Sequence, residues 1–151
     1  MLPTLVLGIG NILLRDEGVG VRVIESMRGA PLPDGAELVD GGTAGADLVD
    51  LLADRPKVIV IDALDADSKP GSVFRLRADE LMPDPGEMVS LHQLGLLQSL
   101  SIAARLGCSP KEVVVFGIQP KEISPGLTLT DEVQDAVPRT VAAVLAELGA
   151  R

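Results

Sequence analysis

Hydrophobic and polar positions along the chain follow two periods, one of about two residues and one of about 3.6. Leu5–Ile9 (LVLGI), Lys57–Ile61 (KVIVI) and Glu112–Gly117 (EVVVFG) are near-continuous apolar runs. Runs of this kind read as strands buried on both faces, KVIVI as a central one. Ser72–Arg77 (SVFRLR) alternates and reads as a strand nearer an edge, and Glu37–Val39 reads as a short strand. Between them the period lengthens. Val19, Val23, Ile24 and Met27 stand at helical spacing, so a helix is predicted from about Gly18 to Arg28, stopped by Gly29. Thr43 is placed to cap a helix running to about Asp54, which Pro56 ends.

The clearest start signal is "VSLHQL". Ser90 is a good N-cap, Gln93 completes a capping box, and Val89 and Leu94 stand at staple positions. That helix is predicted to reach Leu106, with Gly107 at its end. Met82–Glu87 (MPDPGE) is read as a loop, and Thr130 as the cap of a last helix from Asp131 to about Leu148. About five strands alternating with helices are the signature of an α/β layer fold.

Composition narrows the picture. A length of 151 residues suits one domain, expected over 1–151. Only Phe74 and Phe116 are aromatic, so the core must be aliphatic. No apolar run approaches the ~20 residues that cross a bilayer, and Met1–Thr4 carries no basic region that would open a secretory signal. One cysteine, Cys108, excludes an internal disulfide framework and fits a reducing cytoplasm, the expected location. It follows a helix C-terminus, where the dipole opposes a thiolate, so an inert role is expected. The net charge of −9, with thirteen scattered basic residues, argues against nucleic acid.

The first loop, "GIGNILLRDEGVG" (residues 8–20), admits two readings. As a dinucleotide fingerprint it fails at the third glycine, where Leu13 stands, although Asp40 supplies the expected acid after the second strand. A P-loop is excluded because no G-K-[ST] follows. The alternative is a turn that presents acids. Ligands of open α/β sheets bind beyond the carboxyl ends of the strands. Asp16 and Glu17 follow strand one, Asp40 strand two and Asp62 strand three, so parallel strands would gather all four at one edge. Each acid also has an ordinary explanation: Asp16 as the cap of the next helix, Asp62 as a turn former in "DALDAD", where Asp65 and Asp67 read as solvated turn acids. His92, the only histidine, falls in a first helical turn, which disfavours the imidazolium and suits a metal ligand. Glu17, Asp62 and His92 would make a mixed oxygen and nitrogen set for zinc, nickel or a similar ion. The H-E-x-x-H spacing and the G-x-S-x-G elbow are both absent.

Five segments, "GIGNILLRDEGVG", "DGGTAG" (40–45), "VIDALDA" (60–66), "SLHQLGLL" (90–97) and "FGIQPKEISPGLTLT" (116–130), together resemble the [NiFe]-hydrogenase maturation proteases. They occur in the family's order and span nearly the whole chain. The resemblance implies an α/β/α sandwich around a twisted, mostly parallel sheet. It implies an endopeptidase that removes a short C-terminal peptide from a hydrogenase large-subunit precursor after nickel insertion. It implies that Glu17, Asp62 and His92 contact nickel held by the substrate, with no tightly bound metal of the protease's own. Asp40, Glu17 and Asp62 are then the candidates for catalysis or substrate positioning. Nickel would serve either as a Lewis acid or for docking alone. The expected partner is the precursor, with no nucleic acid and no membrane insertion, and the protease is expected to act as a monomer. Two rivals are a non-proteolytic nickel-sensing accessory protein and a nucleotide-binding domain.

Overall fold

In a computed structural model that describes residues 2–33, 35–43, 48–81 and 91–149 (Leu91 and His92 by backbone alone), five strands form one sheet. They are β1 (Thr4–Ile9), β2 (Ala36–Gly42), β3 (Val58–Ala63), β4 (Val73–Arg77) and β5 (Val113–Ile118), in the order β2-β1-β3-β5-β4. β1, β2, β3 and β5 run parallel, and β4 closes one edge antiparallel to β5. The expected mostly parallel five-stranded sheet is therefore the observed one.

The period of two along each strand sends alternate side chains into two separate cores. Val6, Ile59, Ile61, Val114, Phe116 and Ile118 face one side, where α1 (Val19–Met27) and α4 (Asp131–Gly149) cover them. Leu5, Leu7, Ile9, Val58, Val60 and Val115 face the other, against the single helical turn α2 (Val49–Leu52) and α3 (Leu91–Arg105). All six residues of β3 are buried, as a doubly covered central strand requires. Both cores are almost wholly aliphatic, each fully buried Leu, Ile or Val contributing about 1.5–3 kcal/mol. The three-layer α/β/α arrangement follows from these two faces.

Several local expectations change. β2 runs on to Gly42, so Asp40 lies within it rather than after it. Pairing with β1 overrides the poor strand propensity of Asp-Gly-Gly. Of the helix expected from Thr43 to Asp54, the described part is the turn Val49–Leu52, after which Asp54 takes a positive φ of 58°. Residues 44–47 lie outside the described residues, as do Ser90 with its capping box and the Met82–Glu87 loop. The stop at Gly107 holds: its φ is +74°, and Gly107 N–H bonds to Ala104 O while Cys108 N–H bonds to Ala103 O. That is the paired closure of a Schellman motif.

Candidate active site

The strand order fixes where a ligand can reach the sheet. From β1 the chain steps to β2 on one side, then returns across β1 to β3 on the other. The reversal opens a crevice beyond the carboxyl ends of β1 and β3, where open α/β sheets bind their ligands. Glu17 stands in the turn after β1 and Asp62 at the end of β3, so both flank that crevice.

The glycines of the first loop bring this about by giving up space. Gly10 leaves β1 with φ +140°, and a Cβ there would fall 2.1 Å from Glu17 O. A Cβ on Gly20 would fall 2.1 Å from Ile61 O and 2.5 Å from Ile9 O. Bare backbone at Gly20 lets the first turn of α1 rest directly on the ends of β1 and β3. The Arg15–Gly18 turn is thereby held against β3, with Glu17 close enough to Asp62 for its charge to act on it.

Asp62 is 3% exposed. Its Oδ1 accepts the Ala63 N–H at 2.8 Å, and among the described residues Oδ2 has no hydrogen-bond partner. Burial pushes its carboxyl well above the usual carboxylate range; the Ala63 bond pulls the other way, and the negative charge of Glu17 adds to the rise. Orphaned buried oxygens are rare in folded proteins. This one sits at the end of β3, beside the turn that carries Glu17.

Asp16 does not cap α1. The Ncap position is Gly18, with no side-chain cap. The Asp16 carboxylate turns inward instead: Oδ2 accepts from Lys121 N, Glu122 N and Thr130 Oγ1 at 2.9, 3.0 and 2.7 Å, and Oδ1 from Thr130 N at 2.8 Å. Burial would raise its pKa, but these bonds outweigh burial and hold it below the ordinary value. The Thr130 hydroxyl, expected to cap α4, spends its proton on this contact. Gly126 N bonds to Leu13 O and Arg15 N to Gly126 O, and Arg15 also pairs with Glu122. The β1–α1 loop and the β5–α4 loop are thus laced into one rigid unit behind Glu17.

His92 lies in the first turn of α3, and its side chain is outside the described residues. The next residue, Gln93, is buried and donates from Nε2 to Ala63 O at 3.2 Å. That bond ties the turn carrying His92 to the end of β3. Asp40 is at the same edge but farther along it. Asp40 and Ile61 pair with opposite sides of Gly8, so they are level and two strand spacings apart, about 10 Å. Asp40 is exposed, and its Oδ1 accepts Gly42 N–H at 2.8 Å. The predicted acids therefore divide into a pair, Glu17 and Asp62, a structural clamp, Asp16, and an outlying carboxylate, Asp40. Among the described residues no three His, Cys, Asp or Glu side chains gather as a metal cluster.

Two glutamines organise the site: Gln93, which the sequence offers only as a capping-box residue, and Gln119, which sequence reasoning missed. Besides Gln93, buried Gln119 accepts Ala66 N and Ser68 N at Oε1 and donates to Asp65, shaping the loop after Asp62. The available signal was its place in "GIQP", directly after a buried strand. Asp65 is the turn acid expected, held below the usual range by its bond from Gln119.

Comparison with known proteins identifies the family. Residues 21–147 match the family described as hydrogenase maturation protease. The chain is 39% identical over 146 residues to the hydrogenase 2 maturation protease of Escherichia coli, covering 95% of this chain and 89% of that protein. It is 42% identical over 151 residues to the hydrogenase expression/formation protein HupD of Bradyrhizobium diazoefficiens, covering 96% and 79%. The solved structure of the hydrogenase maturating endopeptidase HybD from E. coli superposes with a TM-score of 0.88 at 37% identity, over 97% of this chain and 92% of that one. A hydrogenase 2 maturation peptidase from a Thaumarchaeota archaeon superposes with a TM-score of 0.73 at 34% identity, over 97% and 98%. The family match over most of the chain, the identity to these relatives and the shared fold show that the chain belongs to the hydrogenase maturation protease family and is a hydrolase, an endopeptidase.

Proposed function

We propose that this endopeptidase removes the C-terminal peptide from the large-subunit precursor of a [NiFe] hydrogenase, and that nickel already held by the precursor is what it recognises. The observation that carries the reading is the buried Asp62 carboxylate, whose Oδ2 is unpartnered among the described residues and which lies close enough to Glu17 to feel its charge. Two carboxylates at close quarters in a partly desolvated site favour a divalent cation over water. Glu17, Asp62 and His92 would complete the coordination of a metal that arrives with the substrate, and an incomplete set on the protease would make cleavage conditional on nickel loading.

A metal in that position supplies Lewis acidity toward the scissile carbonyl or toward water. The chain's own part is positional. The Asp16 clamp and the Gly20 contact hold Glu17; β3 holds Asp62; the Gln93–Ala63 bond holds the turn that carries His92. Whichever carboxylate is not engaged by metal is available as a general base, a role contributing about 10²–10⁴-fold.

The test is the intact mass of the cognate precursor after incubation with the protease, in nickel-loaded and nickel-free forms. Loss of a C-terminal peptide from the loaded form alone is expected, and Glu17→Gln, Asp62→Asn and His92→Ala are expected to abolish it while remaining folded. Equal cleavage of both forms would remove nickel recognition from the reading. Full activity of His92→Ala would remove His92 from it.

A further inference from the structure

We infer that an apolar rim around the crevice docks the folded body of the precursor, separately from its metal and from the peptide that is removed. This rests on the proposal above that the large-subunit precursor is the substrate. Seven large hydrophobic side chains are exposed among the described residues, and four of them stand on the segments that border the crevice, between 45% and 62% exposed. Leu13 lies in the β1–α1 loop, four residues before Glu17. Ile123 and Leu127 lie in the β5–α4 loop, and Leu94 in the first turn of α3, two residues after His92. Isolated apolar side chains on a surface are ordinary. A group of them bordering one opening marks a contact surface.

The rim is built to stay in place. Residues 119–130 form no helix and no strand, yet polar bonds hold them throughout. Asp16 takes the N–H groups of Lys121, Glu122 and Thr130. Arg15 Nε donates to Thr128 O at 3.0 Å, and Arg22 Nη2 to Leu127 O at 2.7 Å. An isolated parallel bridge joins Leu14 to Gly126, so Leu13 and Leu127 flank the same link between the two loops. A surface already ordered loses little further freedom on binding. The cations on these loops are also matched: Arg15 pairs with Glu122, and Lys121 with Glu132 at 2.9 Å. An acidic partner would therefore find its cations taken, whereas an apolar centre with a satisfied polar border is the anatomy of a protein–protein contact.

The occupant follows from the activity. An endopeptidase works only with its polypeptide seated in the crevice, so whatever borders the crevice faces that polypeptide. Leu13, Ile123 and Leu127 stand on the loops that lead into α1 and α4, which cover one face of the sheet. Leu94 stands on α3, which covers the other. A single extended segment covers one line through the crevice; contact on both sides of it requires a folded surface. The surface that fits is an apolar, uncharged patch on the precursor body, beside the end that is cleaved.

The test titrates the intact protease calorimetrically with nickel-free precursor, whole and truncated before the removed peptide. Wild type should bind the two forms within about threefold of each other. Leu13→Ser, Ile123→Ser and Leu127→Ser should each raise Kd about three- to tenfold, the range for a contact residue near an interface centre. Leu106→Ser, 68% exposed beyond the far end of α3, should stay within about twofold of wild type. With nickel-loaded precursor, the triple variant at Leu13, Ile123 and Leu127 should raise KM and leave kcat within about twofold. Four results would each overturn the docking surface: an unchanged Kd in the triple variant, an equal loss in Leu106→Ser, no binding of the truncated body, or a loss confined to kcat. Dimerisation of the wild type that the triple variant abolishes, with precursor Kd unchanged, would assign the rim to a second copy of this chain and overturn it too. The titration needs neither nickel nor cleavage, so failure of metal recognition would show as equal processing of loaded and nickel-free precursor and leave docking intact. Absent processing by the wild type would refute the precursor as substrate, whereas processing with a KM indifferent to the rim would refute the docking alone.

Discussion

Replacing Asp16 by Ala removes the acceptor for four donors at once, and its cost can be worked out donor by donor. Thr130 is 7% exposed, so its N–H and hydroxyl would be stranded away from water. Each unsatisfied buried donor costs about 1–3 kcal/mol. Lys121 and Glu122 are exposed, so their N–H groups can turn to solvent and lose only the ordinary net value of a hydrogen bond, about 1 kcal/mol each. Relief of the buried carboxylate's own desolvation returns part of this. The net expectation is about 3–5 kcal/mol, a fall in Tm of about 6–20 °C for a chain of this size. Asp16→Asn is nearly isosteric. Its amide oxygen can keep the three Oδ2 bonds, but its NH₂ then faces Thr130 N–H, donor to donor, for about 2 kcal/mol. Urea unfolding followed by circular dichroism gives both numbers, and native-state amide exchange locates them. Lys121, Glu122 and Thr130 amides should lose protection well before those of β1 and β3. A cost below about 1 kcal/mol for Asp16→Ala, or uniform loss of protection across the sheet, would refute the clamp.

Three further outcomes are expected. Glu147 is held at a pKa of about 2 by its bond to Arg75, with Lys57 adding to the effect against burial. A depressed carboxylate stabilises the fold above its ordinary value near 4.5 and loses that contribution as pH falls toward 2. The ceiling is about 3 kcal/mol, reduced to about 2 because Arg75 is half exposed and screened. Unfolding titrations should show this loss between pH 4.5 and 2 in the wild type and a flatter curve in Glu147→Gln. Gly20→Ala drives a methyl into two strand backbones that cannot yield, so it should cost about 3 kcal/mol or more and displace Glu17, read as lost Tm and lost processing together. Asp62→Asn keeps the Ala63 bond through Oδ1 and removes a buried ionisable group. It should raise Tm at pH 7 while processing falls at least about 100-fold; a lower Tm with unchanged processing would strip Asp62 of its role.

What the sequence revealed and what it concealed divide by range. β1, β3 and β5 and the start of α1 were legible because the period of two and the spacing of Val19, Val23, Ile24 and Met27 are local signals. That Glu17 and Asp62 would share an edge was legible too, since it needs only parallel strands. The lateral order along that edge was not. The sequence places Asp40 and Asp62 after successive strands, yet β1 sits between them and separates the two by about 10 Å. The sequence offers Asp16 as a helix cap because a cap is the nearest partner along the chain; its actual partners are 105 to 114 residues away. No local pattern encodes such a bond. The end of β2 was missed for a related reason, since Gly41 and Gly42 look like turn residues until β1 supplies the pairing that absorbs one as a bulge.

The glycine-rich loop shows how a local pattern can be right about geometry and wrong about ligand. Glycines between a strand and a helix make room, and in a nucleotide-binding fold that room receives a pyrophosphate. Here the room is taken by the protein itself: Glu17 O fills the space above Gly10, and Ile61 O with Ile9 O fills the space above Gly20. A phosphate would have to displace strand backbone to enter. The same close approach seats the α1 N-terminus on the switch point and fixes Glu17 beside Asp62. With two carboxylates there, the electrostatics at that crevice repel an anion and attract a cation. Leu13, where the third glycine of a dinucleotide fingerprint would stand, lines the groove beside Asp40. One loop accordingly carries both packing and charge placement, and each depends on the other staying rigid.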